Sequence, residues 1–247
     1  MEIIQLEQVS LLRRTQEEFS RDLKRTILSI VEGKYSKPTK RLVLDNVSFS
    51  VERGRKIGII GSNGSGKSTL LKLIAGVLDP TSGKIRVKGQ VAPLIELGAG
   101  FDLELTVLDN IFLYGILLGF TRADLKQRLG AILEFAELED YRSMPLKALS
   151  SGMMSRLGFA IATDVQPDIL ILDEVLSVGD ERFRTKSQKR IEQLWKADAT
   201  VLVVSHSMEF IQESCEIVIW LDKGRIQAIG ESKAVVDRYL SYVHQPV

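Results

Sequence analysis

Four short stretches of the chain are almost wholly apolar: Lys56–Gly61 (KIGIIG), Ile169–Leu172 (ILIL), Val201–Val204 (VLVV) and Ile217–Leu221 (IVIWL). Runs of this length without polar alternation predict strands buried on both faces, as in a parallel sheet covered by helices. The intervals between them are long enough for crossover helices. Two other segments alternate. Val47, Phe49 and Val51 interleave with Ser48 and Ser50, and Arg86 sits between Ile85 and Val87. These predict one-sided antiparallel strands near the N-terminus. From Thr106 to about Val165 the period becomes helical. Thr106 with Asp109, and Thr121 with Asp124, have the S/T-x-x-[DE] form of a capping box. Leu125, Leu129, Ile132 and Ala136 then share one helical face. The pattern as a whole predicts an α/β fold with an α-helical lobe over about residues 105–165.

Composition narrows the classes. Of 247 residues, 33 are basic and 32 acidic, leaving a formal charge of +1. A broad basic face for nucleic acid is not expected. One cysteine cannot form an internal disulfide, which suits a reducing compartment, and two histidines do not suit a multi-His metal site. The longest apolar stretch, Ile111 to Phe120, is about half of the roughly 18–20 residues needed to span a bilayer. The opening MEIIQLEQVS has no secretory hydrophobic core. The expectation is a soluble, cytoplasmic chain that would borrow any membrane part from a partner.

The strongest local chemistry follows the first apolar run. Gly61-Ser62-Asn63-Gly64-Ser65-Gly66-Lys67-Ser68-Thr69 is G-x-x-x-x-G-K-[ST], set between a predicted strand and a predicted helix. Glycines let the backbone curl so that successive N–H groups point at phosphate oxygens. The helix N-terminus adds its positive dipole end. Lys67 is placed for the β- and γ-phosphates of a nucleotide and the Ser68 hydroxyl for Mg²⁺. Downstream, Ile169–Leu172 ends in Asp173-Glu174. Acids at the carboxyl end of a buried parallel strand lie where α/β folds bind ligands. Asp173 suits Mg²⁺, directly or through water, and Glu174 suits a general base on the attacking water.

Four further segments resemble one family of phosphate-loop proteins. Leu149-Ser150-Ser151-Gly152-Met153, ahead of a helical run, resembles the LSGGQ signature of ABC ATPases. Leu176-Ser177-Val178-Gly179-Asp180 resembles their D-loop, and Val203-Val204-Ser205-His206 their switch histidine. Gly76–Ile85 resembles the turn after their first helix. The match runs in order from about Leu42 to Tyr239. The resemblance implies a P-loop NTPase (ABC ATPase) core with a mixed sheet, N-terminal antiparallel strands and an inserted helical lobe, in a single domain over residues 1–247. It implies ATP and Mg²⁺ as cofactors and a homodimer with composite ATP sites. The signature of one copy, Ser150 to Met153 with Asp180, closes over the γ-phosphate held by the other. It also implies that His206 contacts that phosphate.

The chain departs from the common pattern in four places. Glu96, in Leu94-Ile95-Glu96-Leu97-Gly98-Ala99-Gly100-Phe101, falls close to the position of a metal-contacting glutamine. The signature reads SSGM rather than SGGQ. LIELGAGF…ELT and SSGMxxRLxFAIA together resemble the ATPases of polysaccharide exporters, which move O-antigen, capsule or teichoic-acid chains through an integral-membrane permease. At the position where the family stacks adenine on an aromatic stands Arg13, with Phe19 and Tyr35 as alternatives. Lastly, 33 residues separate Ser10 from Leu44, long for a simple connection between the first two strands. Within them Phe19, Leu23, Ile27 and Ile30 fall on one face, which predicts an extra amphipathic helix over residues 16–31. It either packs on its own domain or covers a permease or headgroup surface. The function expected from all this is ATP-driven polysaccharide export from the cytoplasmic face of the membrane. The alternatives are another ABC transporter ATPase, or a soluble ABC protein of translation or DNA repair.

Overall fold

The structure, a computed structural model, describes residues 1–14, 40–95, 97–164, 166–173 and 180–243. The expected helix over residues 16–31, Glu96, Glu174 and most of the D-loop segment lie outside the described residues.

Two sheets form the core. In the smaller, β1 (Glu2–Arg14) lies between β2 (Lys40–Glu52) and β4 (Ser82–Val87), with both pairings antiparallel. Val47 and Val51 are buried while Ser48 and Ser50 are exposed, so the alternation in sequence is the alternation of faces. The first two strands run further than expected, to Arg14 and from Lys40, which shortens their connection.

The larger sheet holds β3 (Lys56–Ile60), β5 (Val91–Leu94), β6 (Ile169–Asp173), β7 (Thr200–Val204), β8 (Ile217–Asp222) and β9 (Arg225–Glu231) in the order β5-β6-β7-β3-β8-β9. All neighbours are parallel except β9, which turns back on β8. The four apolar runs are β3, β6, β7 and β8. Along them successive side chains enter two different cores. Ile171, Leu202 and Ile219 meet the antiparallel sheet and the helix α1 (Lys67–Ile74). Leu170, Val201 and Val218 meet Phe159, Phe183 and Ile211 on the opposite face. A strand covered on both sides has no polar position to spare, which is why these runs do not alternate. Two edge strands carry no such signature. The strand β5 contains Pro93, which an edge position tolerates because one side of the strand needs no donor.

The helical lobe follows β5. It contains α2 (Val107–Leu117), α3 (Arg122–Ala136) and α4 (Ser151–Thr163). Thr106 caps α2 by accepting the Asp109 N–H, and Thr121 with Asp124 forms a reciprocal capping box on α3. Ile111, Leu125, Ile132, Leu157 and Ile161 form the lobe's own core. Among the described residues three further helices follow: α5 (Glu181–Lys196), α6 (Met208–Ser214) and α7 (Ser232–Val243). Among the described residues no helix is long and apolar enough to cross a membrane.

Candidate active site

The phosphate loop links β3 to α1. Gly61 and Gly66 have φ of 146° and 108°. A Cβ on Gly61 would lie 2.0 Å from the Leu221 carbonyl oxygen, and one on Gly66 would press on Leu44 and the Val43 carbonyl. Only glycine fits either position. The β8–β9 turn clamps the loop from below. The Gly224 N–H donates to the Ser65 carbonyl (2.9 Å), and the Ser62 hydroxyl donates to Asp222 Oδ1 (3.3 Å). Helix α1 starts at Gly66 without a side-chain cap and has no acid in its first turn. Its N-terminal amides therefore face the loop's interior with their partial positive charge uncompensated.

Lys67 folds back on its own loop. Its Nζ donates to the carbonyls of Gly61 (2.8 Å) and Ser62 (3.0 Å). Burial pulls this ammonium below the usual lysine value, opposed by the negative charge of Asp173. A phosphate oxygen would take over bonds that the carbonyls now accept, and its negative charge would oppose the downward shift that burial causes.

Strand order assembles the rest. The spatial sequence β6-β7-β3 places three carboxyl ends side by side: Asp173 on β6, Ser205-His206 beyond β7, and the phosphate loop beyond β3. Asp173 pairs in register with Val204. His206 lies just ahead of α6, whose N-cap is Ser207. One open cavity of about 890 Å³ unites them, lined by the whole stretch Ser62–Thr69 with Asp173, Val204 and His206. Its wall also holds Arg13, Arg41, Leu42, Val43, Asp222 and Lys223. Arg13 and Arg41 are cross-strand partners on β1 and β2. Sequence reasoning named Arg13 but missed Arg41, Asp222 and Lys223, because only strand pairing brings them to the loop. Phe19 and Tyr35 lie outside the described residues.

Fit to a bound nucleotide can be judged from these groups. Gly61 and Gly66 take up a loop path too close to Leu221, Leu44 and Val43 for any Cβ, the α1 amides carry no cap, and the buried Ser65 hydroxyl has no hydrogen-bond partner among the described residues. The cavity is built for an anion. Ser68 and Asp173, both oxygen donors on its wall, suit a hard divalent cation.

The second motif stands apart. Ser150 is the N-cap of α4, its hydroxyl accepting the Met153 N–H at 3.2 Å, and the Ser155 hydroxyl donates to the Ser151 carbonyl. None of Ser150, Ser151, Gly152 or Met153 lines the cavity. Asp180 caps α5 by accepting the Phe183 N–H at 3.0 Å and pairs with Arg156. That backbone hydrogen bond, more than Arg156, holds its carboxyl below the usual range.

Residues 44–177 match the profile of a family described as ABC transporter. The chain belongs to this family. Membership implies an ATP-binding fold that hydrolyses ATP, in agreement with a phosphate loop, an acid and a histidine gathered at one sheet edge. The chain is 43% identical over 203 residues to the O-antigen export system ATP-binding protein RfbB of Klebsiella pneumoniae, covering 82% of each. It is 44% identical to the ABC transporter protein AbcA of Aeromonas salmonicida, covering 81% of this chain and 65% of that one. It is 42% identical to the teichoic acids export ATP-binding protein TagH of Bacillus cereus, where it spans 37% of the relative's length against 82% of its own. Among solved structures, an ATP-binding subunit of an ABC transporter superposes with a TM-score of 0.68 at 23% identity, covering 96% of this chain and 93% of that one. A dimeric ATP-binding cassette in a post-hydrolysis state, bound to ADP and Pi, gives 0.65 at 21% identity, covering 93% and 98%. At those identities the likeness is one of fold, and it extends the ABC ATPase architecture over nearly the whole chain.

Proposed function

We propose that this chain is the ATPase subunit of a transporter that exports a lipid-linked polysaccharide through a separate membrane permease. The observation that carries the reading is the 43% identity to an O-antigen export ATP-binding protein over 82% of both chains. Identity of 42% to a teichoic acids export protein points to the same class of cargo. The protein would work as a homodimer on the cytoplasmic face of the membrane, held there by the permease.

The residues divide the work by position. Loop amides from Gly61 to Thr69 bind the phosphates, and Lys67 exchanges its bonds to the Gly61 and Ser62 carbonyls for phosphate oxygens. Ser68 and Asp173, with Glu96 as a further oxygen donor, would hold Mg²⁺, which when bound offsets charge on the phosphate oxygens. Glu174 takes the proton of the attacking water. His206 orients and stabilises the γ-phosphate from the end of β7. Arg13 meets the base, where a guanidinium plane can stack on a purine. Ser150, Ser151, Gly152 and Met153, with Asp180, complete the site of the partner copy. Their position outside this chain's own cavity supports that division. Closure on ATP and reopening after hydrolysis would drive the permease.

Affinity capture of the full chain from a detergent extract of its own cells tests the reading. The expected result is co-purification of an integral-membrane permease and stimulation of ATP hydrolysis by it. Recovery of ribosomes or DNA in place of a permease would overturn the proposal.

A further inference from the structure

Arg156 stands one turn beyond Met153 on α4, with a side chain only 18% exposed. Its guanidinium joins two other helices. Nη2 is 2.7 Å from Asp180, the N-cap of α5, and Nη1 is 3.3 Å from Glu137, the C-cap of α3. The same group lies 5.2 Å above the Phe183 ring of α5. Its Nε is buried with no hydrogen-bond partner among the described residues.

Glu137 is an unusual residue for its place. At φ 60° and ψ 45° it closes α3 in the left-handed conformation, where glycine or asparagine is the ordinary choice. Its carboxylate lies between Arg156 and Lys186 of α5 (3.7 Å). Lys186 in turn donates to the Phe135 carbonyl in the last turn of α3 (2.9 Å). One charged cluster thus ties the end of α3 to the first two turns of α4 and α5. A residue kept in a costly backbone conformation, beside a half-satisfied arginine, is poorly explained by stability alone.

We infer that Arg156, held from the end of α3 by Glu137, clasps α4 to Asp180 at the start of α5, so that Ser150–Met153 and Asp180 face the partner copy as one rigid unit. The inference rests on the proposed reading in which those residues complete the partner's ATP site. Glu137 and Arg156 are positioning residues in this scheme and touch no substrate. The fork of arginine is required, because two carboxylates on different helices bind different Nη atoms, and a lysine ammonium is a single point.

The test uses the full chain with Glu137→Gly, Glu137→Gln and Arg156→Lys, and Lys67→Ala as reference. Glu137→Gly gives the left-handed position its preferred residue and frees Arg156 from its hold on α3 while leaving Asp180 in place. It should melt within a few degrees of wild type or above it. Binding of a fluorescent ATP analogue should be unchanged, since the cavity is untouched. The kcat for ATP should fall roughly tenfold, as for loss of one charge-assisted hydrogen bond in positioning. Glu137→Gln, which keeps an acceptor for Arg156, should recover part of that loss, and Arg156→Lys should resemble Glu137→Gly. Wild-type kcat in Glu137→Gly overturns the clasp, and so does a melt that drops in parallel with kcat. If the wild-type chain hydrolyses ATP no faster than Lys67→Ala, the proposed function itself fails. Active wild type, inactive Lys67→Ala and fully active Glu137→Gly would remove the clasp alone.

Discussion

Helices α1 and α4 begin in opposite ways. The first turn of α1 carries neither a capping side chain nor an acid, and its entry glycine is left-handed. Its amides wait for an external acceptor. Helix α4 also lacks an acid in its first turn, but Ser150 already accepts the Met153 N–H. Elsewhere α2, α3, α5 and α6 each place an acid in the first turn behind a Thr, Asp or Ser cap. Those four ends are self-neutralised. Helix α7 lacks an acid too, but there Ser232 is buried and bonded to the Ile211 carbonyl. The difference between α1 and α4 teaches a division of labour. A whole anion cradle, with its lysine, needs glycine loops and a clamp from β8–β9. On the proposed composite site, a surface that only closes over an anion held by the partner copy would need a stable helix start and one hydroxyl.

The comparison breaks most visibly on the α1 side. Glu174→Gln should keep ATP binding while turnover falls by roughly 10²–10⁴. The variant should then accumulate as an ATP-bound dimer, read by size exclusion. Normal turnover would exclude Glu174 as the base. A mixing experiment addresses both helix starts together. Lys67→Ala disables the α1 cradle and Ser151→Arg blocks the α4 face. If sites are composite, equal mixing of the two inactive homodimers yields heterodimers with one intact site, and up to roughly a quarter of wild-type turnover should return. Proven heterodimers with no rescue would show that each chain acts alone.

Smaller effects probe the two packing environments of the lobe. A Cβ on Gly158 would lie 2.9 Å from the Gly98 backbone nitrogen. Gly158→Ala should therefore cost about 1–3 kcal/mol, seen as a lowered thermal midpoint. Gly130, by contrast, is an exposed position inside α3 with nothing within 4 Å of a built Cβ. Gly130→Ala should stabilise by about 0.5–1 kcal/mol with ATP turnover unchanged. Equal melting of the two variants would mean that α4 does not abut the Leu97–Gly98 backbone as tightly as the geometry shows.

Much of this was readable along the chain. The runs in β3, β6, β7 and β8 announce a doubly covered sheet because burial on both faces leaves no room for polar residues. The caps at Thr106 and Thr121 are four-residue patterns, and their hydrogen bonds close over that same span. The phosphate loop is legible for the same reason: its glycines, lysine and hydroxyls act through neighbours in sequence. Other features had no such signal. Strand β5 is short and contains Pro93, and β9 alternates between exposed and half-buried positions with no buried face.

What the sequence by itself determined, then, are devices whose parts are contiguous: the glycine cradle, the capped starts of α2 and α3, the buried strands and the family they resemble. Only the tertiary structure decided which of these meet. Asp173 and His206 reach the loop because β7 is inserted between β6 and β3. Arg41 faces Arg13 through strand register, and Asp222 and Lys223 arrive on the β8–β9 turn. Glu137, Arg156 and Asp180 converge from three helices. Strand order and helix contacts are set by long-range burial of apolar faces, which is non-directional and nearly blind to which polar residues it carries along. No local pattern can therefore announce those meetings.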